Sequence, residues 1–332
     1  MDINLRCAVV IGPSQLDMCV LKRKGKTYVV KSIAYYDFEE EKEIEDIVYN
    51  LAEHLHGEIL TNVSLKHQSV IEHVYFYKSS VDVKSSVFKD LKRDYEIELK
   101  DYIIDYEEDD VSDKKIVYVV AVPKNVFDFY YSMFQKEKKF KLYSFETHNV
   151  SLKRAVSRFL GSGYFLNCAV FKNYSSILVC KGNRVLAIRN LRYSWKELIG
   201  YLCEAGGISE EDAEGVLRER GLKEPKQGDQ EKDILIYQSI SEAFDQFTIE
   251  IQRTIDYITT VQKIGNVEKL VSIGELNKIN KVESYISKLF SLETIKFEPQ
   301  KVVEFEDEID FSILKNMEYF ETCIGAAIRQ IT

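Results

Sequence analysis

Six cysteines and five histidines are the side chains best suited to metal, redox or nucleophilic chemistry in this 332-residue chain. Their spacing argues against all three. There is no CxxC pair, and most of the cysteines sit inside apolar runs. That placement reads as reduced thiols packed as small hydrophobes. His54, His56, His67, His73 and His148 form no i,i+4 pair and no HExxH, so neither a metal centre nor imidazole catalysis is expected. Four cysteines do fall in a pattern. Cys-Ala-Val, nine residues, Cys occurs at Cys7–Cys19 (CAVVIGPSQLDMC) and again at Cys168–Cys180 (CAVFKNYSSILVC). A segment that recurs halfway down a chain suggests two homologous lobes. A disulfide between the paired copies is the alternative to buried thiols.

The elements that would position such a repeat can be read from hydrophobic period. Arg6–Phe38 reads as three strands with turns at Gly12-Pro13-Ser14 and Lys24-Gly25. A helix over Glu40–Leu55 follows, with Ile44, Ile47, Val48, Leu51 and Leu55 on one face. Ile71–Glu146 alternates as β-α-β-β-α-β, with Val126–Lys138 as its second helix and Lys141–Phe145 as its last strand. The acidic stretch Glu107–Asp113 reads as a solvated hairpin tip. A helix over Val150–Leu160 ends at Gly161-Ser162-Gly163, the expected inter-lobe hinge, and the second copy starts at once.

Beyond it, Trp195–Glu204 predicts a helix. Ser209 caps the next, with Asp212 three residues on, and Gly221 ends it. Lys223–Lys232 reads as an exposed loop. Ile240, Phe244, Phe247, Ile251, Ile255 and Ile258 make one stripe on a long helix over Ile236–Val261. A coiled-coil seam is the rival, but a lone helix of this length more often packs inside its own domain. A strand over Lys269–Ile273, a helix over Lys281–Phe290, a strand over Thr294–Phe297 and a closing helix over Met317–Ile331 complete the pattern.

A hydrophobic share of 45% is that of a globular chain, and the net charge of −9 gives no reason to expect nucleic-acid binding. No apolar run reaches the roughly 18–20 residues of a membrane span. MDINLRCAVV lacks the apolar core of a secretory signal. The chain is expected to be cytosolic, without direct membrane insertion.

Two β-β-β-helix copies, an insert in the first, a helical subdomain in the second and a final helix resemble the actin-like ATPase superfamily. Within it the chain is similar to the PilM family, cytosolic components of type IV pilus machines, and more distantly to the FtsA family. The segments that carry this are VVAVPKNVFDFYYSMFQKEKKFKLYSFETHNVSLKRAV, GISEEDAEGVLRERGL and EIQRTIDYI. They match an A-P-K-x-x-V strand–helix, a G-I-S…A-E helix start and an E-I-x-R-S-L-D-F helix of PilM relatives. The resemblance implies an α/β, actin-like (ribonuclease H-like) two-lobed fold with a small βαββαβ, SHS2-like insert. The implied division is 1–70 and 147–163 for the first lobe, 71–146 for the insert, 164–194 and 263–310 for the second lobe, 195–262 for a helical subdomain, and 311–332 for a closing helix.

In that superfamily two Asp-x-Gly hairpins and a Gly-Gly turn hold Mg²⁺ and nucleotide. Here the Asp positions fall at about Val10 and Ala169, and the second hairpin glycine at about Phe171. Gly12, Ser14, Lys172, Asn173, Ser175 and Gly274 remain as a degenerate nucleotide cleft. The expectation is weak ATP or ADP binding without a dedicated metal site, or none, and little or no hydrolysis. The resemblance further implies that the N-terminal peptide of a PilN-type membrane protein docks in a groove between the first lobe and the insert. Tyr35, Tyr36, Phe38, Phe127, Tyr130, Tyr131 and Phe134 are its expected walls, with core packing as the alternative for each. Other cytoplasmic pilus components are further expected partners. The chain ends soon after its closing helix, without the membrane-anchoring tail of FtsA relatives. That favours a scaffold recruited to the inner membrane by a partner over the division reading; a nucleotide-binding actin-like ATPase or an FtsA-like filament former is the alternative.

Overall fold

The computed structural model describes residues 4–111, 113–225 and 231–329. In chain order the elements are β1 (Leu5–Ile11), β2 (Gln15–Lys24), β3 (Thr27–Asp37), α1 (Ile44–Glu53), β4 (Ile59–Leu65), β5 (Ile71–Lys78), α2 (Val83–Tyr95), β6 (Tyr102–Val111), β7 (Lys114–Pro123), α3 (Lys124–Lys136), β8 (Phe140–Thr147) and α4 (His148–Leu160). They continue as β9 (Tyr164–Val170), β10 (Ser175–Lys181), β11 (Arg184–Leu191), α5 (Trp195–Gly206), α6 (Glu210–Glu219), α7 (Glu231–Asp256), β12 (Lys269–Gly274), α8 (Val282–Phe290), β13 (Glu293–Lys296), β14 (Glu304–Phe305), α9 (Phe311–Leu314) and α10 (Phe320–Ala327). Contacts divide the chain into two units: 1–159 with 183–186 and 298–332, and 160–182 with 187–297.

The first unit is built on a six-stranded sheet ordered β14-β3-β2-β1-β4-β8. Strands β1, β2 and β3 pair antiparallel, while β4 joins β1 and β8 in parallel. The second unit is built on a sheet ordered β11-β10-β9-β12-β13, with β12 parallel to both β9 and β13. The order 3-2-1-4-8 thus recurs as 11-10-9-12-13, which is the doubling expected from the cysteine segments. The register, however, is not the one the cysteines suggest. Ile11 faces Leu16 and Val170 faces Ser175, so the turns are Gly12–Gln15 and Phe171–Tyr174. Each is closed from its first N–H to its fourth carbonyl at 2.9 Å. Gly12 therefore corresponds to Phe171, two residues away from where superposed cysteines would put it. All six cysteines are free thiols, which closes the disulfide alternative. Burial pushes the Cys7, Cys168 and Cys323 thiols up, so they stay protonated.

The insert departs most from expectation. Its sheet has three strands, ordered β5-β7-β6. The predicted fourth strand, β8, pairs instead with β4 from Ile59↔Phe140 to Leu65↔Thr147. Helix α3 goes with it: Tyr130, Met133 and Phe134 share a core with Ile44, Ile47, Val48 and Leu51 of α1. The small module is therefore βαββ over 71–123, not βαββαβ over 71–146. Strand β4 escaped the periodic reading because Thr61, Asn62 and Ser64 make it look polar. It is nonetheless central, and those three side chains are fully buried. Thr61 Oγ1 donates to the Ile59 carbonyl at 2.9 Å, and Ser144 Oγ donates to Asn62 Oδ1 at 2.6 Å. The acidic stretch forms the mostly exposed end of the β6–β7 hairpin, as expected, with the ladder running on to Val111↔Lys114.

In the second unit Ile240, Phe244, Phe247, Ile251 and Ile258 are fully buried and Ile255 is half-buried, so the long stripe packs within its own unit. Ser194 and Ser209 cap α5 and α6 by accepting from the N–H of Glu197 and Asp212. Of the loop expected over Lys223–Lys232, residues 226–230 lie outside the described residues, and Glu231 already opens α7. The closing helix is shorter than Met317–Ile331, and residues 330 and 331 of that span lie outside the described ones.

Helix α10 is fastened to β2 by two buried polar side chains. Asp17 Oδ2 accepts from the Tyr319 N–H at 2.7 Å, and Gln15 Oε1 from the Glu318 N–H at 2.7 Å. Backbone donors at a helix start need such acceptors when buried. Tyr319 then lies fully buried over Gly12, where a Cβ would come within 2.2–2.3 Å of two ring atoms and the phenol oxygen. Gly12→Ala should cost about 1–3 kcal/mol of stability in thermal or denaturant unfolding. The same change should cost less in a Tyr319→Ala background. His148, at the start of α4, is buried beside Thr322 and the Tyr319 ring. Burial, with a smaller push from Lys66, holds its imidazole well below the ordinary 6.5. The unfolded chain therefore takes up the proton first. Stability is fully present above about pH 6.5 and falls below it by up to about 1.4 kcal/mol per pH unit. Unfolding midpoints measured between neutral and mildly acidic pH should show that slope, reduced in His148→Gln.

Candidate functional site

The open concavity of the first unit lies between the bare face of the three-stranded sheet and the edge of the six-stranded one. It encloses about 560 Å³. Sheet pleat explains the bare face. Strand residues alternate between faces, and on one face Tyr75, Val117, Val119 and Ala121 pack with Val83, Val87 and Leu91 of α2. The other face presents Tyr118, Val120 and Val122 of β7 to the groove. Their partners across the ladder are Glu107, Asp105 and Ile103 of β6. The wall thus grades from the apolar pair Ile103–Val122 to the polar pair Glu107–Tyr118. Opposite it stand residues 143–147 of β8, Phe127 of α3, and Val150 and Arg154 of α4.

Two carboxylates brace this groove. Glu146 takes two bonds from Arg154, at 2.8 and 2.9 Å, one from Arg329 at 2.5 Å and one from Ser151 Oγ at 2.5 Å. Burial alone would raise its carboxyl. The Arg154 bonds and charge, with Ser151 and Arg329, outweigh that and hold it below the ordinary carboxylate range. Glu72 of β5 accepts from Tyr118 Oη, Thr147 Oγ1 and Asn149 Nδ2 at 2.5–2.6 Å. It thereby ties the small sheet to β8 and α4. Burial, and then the Glu72 charge, push the Tyr118 phenol well up, so it stays a hydrogen-bond donor. Lys153 is 1% exposed and meets Glu107 at 2.5 Å, with its ammonium 5.5 Å above the Tyr118 ring. Neither Glu146 nor Glu72 was singled out in the sequence. Glu146 is followed by Ser151 and Arg154 at i+5 and i+8, but nothing local marks those as its partners.

Of the seven aromatic residues expected to wall a groove, Phe127 alone lines this one. It packs edge-on against Phe145 and stacks on the exposed Tyr131, each at 5.3 Å. Phe38, Tyr130 and Phe134 are core residues of the six-stranded sheet. Tyr36 packs on that core and bonds His54 at 3.2 Å. Tyr35 and Tyr36 lie on β3, four positions from β8 in the sheet order, which removes them from the groove. The physical reason is the β4–β8 pairing, which sends the groove to the opposite edge from β3.

The nucleotide candidates lie on two different units. In the first, Gly12 is covered by Tyr319, and the Ser14 carbonyl accepts from Phe38 N–H at 3.0 Å. In the second, Lys172 and Asn173 are half-buried in the β9–β10 turn. That turn is bound to the start of α5 through Trp195 N–H to the Phe171 carbonyl and Lys196 N–H to the Lys172 carbonyl. Ser175 is fully buried and donates its hydroxyl to the Tyr193 carbonyl. Gly274 has φ 68°, and a Cβ there would lie 2.5 Å from the Val170 carbonyl. Its glycine is thus demanded by the fold itself. Val10 and Ala169, at the expected carboxylate positions, are fully buried aliphatic side chains within their strands. No group of three or more His, Cys, Asp or Glu side chains among the described residues is arranged to hold a metal.

No family model matches the chain, and no curated protein matches it. Solved structures do. The chain is similar to the PilM-PilN type IV pilus biogenesis complex at TM-score 0.71 and 14% identity, over 97% of each chain. It is similar to a Bacteroides thetaiotaomicron protein with an actin-like ATPase fold and unknown function at TM-score 0.50 and 8% identity, over 96% of this chain and 99% of that one. It is also similar to MreB 5 of Spiroplasma citri bound to AMPPNP, at TM-score 0.51 and 11% identity, over 95% and 98%. At such identities the likeness is one of fold. The doubled strand order and these similarities together assign the chain the actin-like ATPase fold, in a form similar to that of the PilM-PilN structure.

Proposed function

We propose that the chain is a PilM-like cytosolic scaffold of a type IV pilus or related secretion machine. Its groove would dock the N-terminal cytoplasmic peptide of a PilN-type inner-membrane protein, which would recruit it to the membrane face. One observation carries this reading. The first unit keeps an open groove with an apolar end at Ile103, Val122 and Phe127, braced by partly buried ion pairs and hydrogen bonds. A rigid, partly apolar cleft of this size suits a short peptide, whose ordering cost is low because the walls are already formed. The likeness to a PilM-PilN complex supports the same partner class. Among the described residues no helix is long and apolar enough to cross a membrane.

A scaffold role with little or no ATP hydrolysis is supported by the two turns. Val10 and Ala169 offer no carboxylate to a metal, Gly12 is covered by Tyr319, and the Ser175 hydroxyl already donates to a carbonyl. Nucleotide phosphates need such groups to balance their charge.

Calorimetric titration with a synthetic peptide copied from the cytosolic N-terminus of the PilN-type protein of the same genome should give binding in the micromolar range. Val122→Lys should weaken it by about tenfold or more, since a charge in the apolar end must be desolvated, with an unchanged far-ultraviolet spectrum as the folding control. Absence of heat with the unaltered protein rejects the docking reading.

A further inference from the structure

A second concavity of the first unit has no part in the docking reading. It opens to about 480 Å³, and Phe305, Phe311, Leu314, Met317 and Phe320 line it. Local structure puts them there. Glu304 and Phe305 pair with Val29 and Val30 of β3, which fixes β14 at the edge of the six-stranded sheet. Asp310 caps α9 by accepting from the Ser312 N–H at 2.8 Å. Phe311, the next residue, is left 56% exposed. Its ring meets Phe305 at 5.3 Å, and Phe305 meets Phe320 at 5.9 Å. A lone exposed apolar residue needs no explanation. Phe311 is not alone, because the cleft it stands on is apolar too, and burying an aromatic ring is among the largest gains a side chain can make.

The surroundings carry one sign of charge. Glu304, Glu306, Asp307, Glu308 and Asp310 fall close together, and Lys315 is the one basic residue from Glu304 to Glu321. Lys31 holds Glu306, and the helix cap occupies Asp310. Glu304, Asp307 and Glu308 are exposed and belong to no ion pair among the described residues. This decides between occupants. An anionic membrane surface would be repelled. A second copy meeting the same face across a twofold axis would set these carboxylates against their own copies. A basic segment with one or two large apolar side chains suits both the cleft and its surroundings.

We propose that this cleft is a second docking site, for a short basic segment of another protein. A Leu- or Phe-type side chain would enter among Phe305, Phe311 and Phe320, with Lys or Arg residues facing Glu304, Asp307 and Glu308. The apolar insertion supplies affinity, and the carboxylates supply encounter rate and the choice of sign. The site goes beyond the docking reading and does not depend on it. Strands β14 and β8 are the two outer strands of the six-stranded sheet, about 24 Å apart at the usual strand spacing, so an occupant here does not compete with one in the groove.

The probe is a fluorescein-labelled peptide of about twelve residues, built of Leu and Lys with the leucines recurring at helical spacing. Titrated with the full chain and read by anisotropy, it should bind in the micromolar range at about 0.05 M salt and about tenfold or more weaker at about 0.5 M. Phe311→Ser should weaken binding about tenfold or more, and so should Asp307→Lys with Glu308→Lys. Asp46→Lys with Glu53→Lys, the same charge change at exposed positions of α1, should stay within about twofold. A peptide with serine in place of leucine should not bind. No binding of the Leu/Lys peptide, full affinity in Phe311→Ser, an equal loss in the α1 pair or full binding of the serine peptide overturns the site. Self-association in sedimentation velocity, or binding to phosphatidylglycerol vesicles, that disappears in Phe311→Ser gives the cleft to a second copy or to a membrane and overturns it too.

Discussion

Parallel pairing of β8 with β4 is the constraint on which the functional surface depends. It removes β8 from the small sheet and makes it the edge of the large one. It carries α3 onto the core beside α1, so Tyr130 and Phe134 become packing residues. The small sheet is left with three strands and a helix on one face only. A sheet with one covered face must present the other, and here that face looks across a gap at the β8 edge. Groove, edge and apolar wall all follow from that one pairing.

Two carboxylates, Glu146 buried and Glu72 half-buried, bridge the sides of the gap. Glu72 joins β5, β7, β8 and α4 through three hydrogen bonds, and Glu146 joins β8 and α4 to the Arg329 segment. Isolated buried carboxylates would be costly, but these are saturated with donors. Removing one donor would leave charge uncompensated, whereas apolar contacts at the same place could slide. Directional bonds therefore suit a groove whose width must be fixed before a ligand arrives.

The small and polar residues at the ends of β1, β10 and β12 serve packing. Gly12 gives way to Tyr319, Gly274 to the Val170 carbonyl, and Ser175 to the Tyr193 carbonyl. A glycine in such a turn is ambiguous from sequence, because close approach of a phosphate and close approach of a neighbouring ring require the same missing Cβ. Asp17, seven residues beyond Val10, keeps its carboxylate for the backbone of the closing helix.

What the sequence determined by itself was local and periodic. The three-strand start, the α1 stripe, the Trp195 and Ser209 helix starts and the long α7 stripe are set by neighbours within a turn or two, and they can be read without partners. The doubling was legible too, though the cysteines gave a register two residues off, because a strand tolerates any buried apolar residue at those places. Strand pairing was decided only in the tertiary structure. Nothing in LYSFET marks β8 for β4 over β5, and the polar Thr61, Asn62 and Ser64 hid the strand that receives it. Partner choice depends on which surfaces remain to be buried once every element exists, and that is a property of the whole chain.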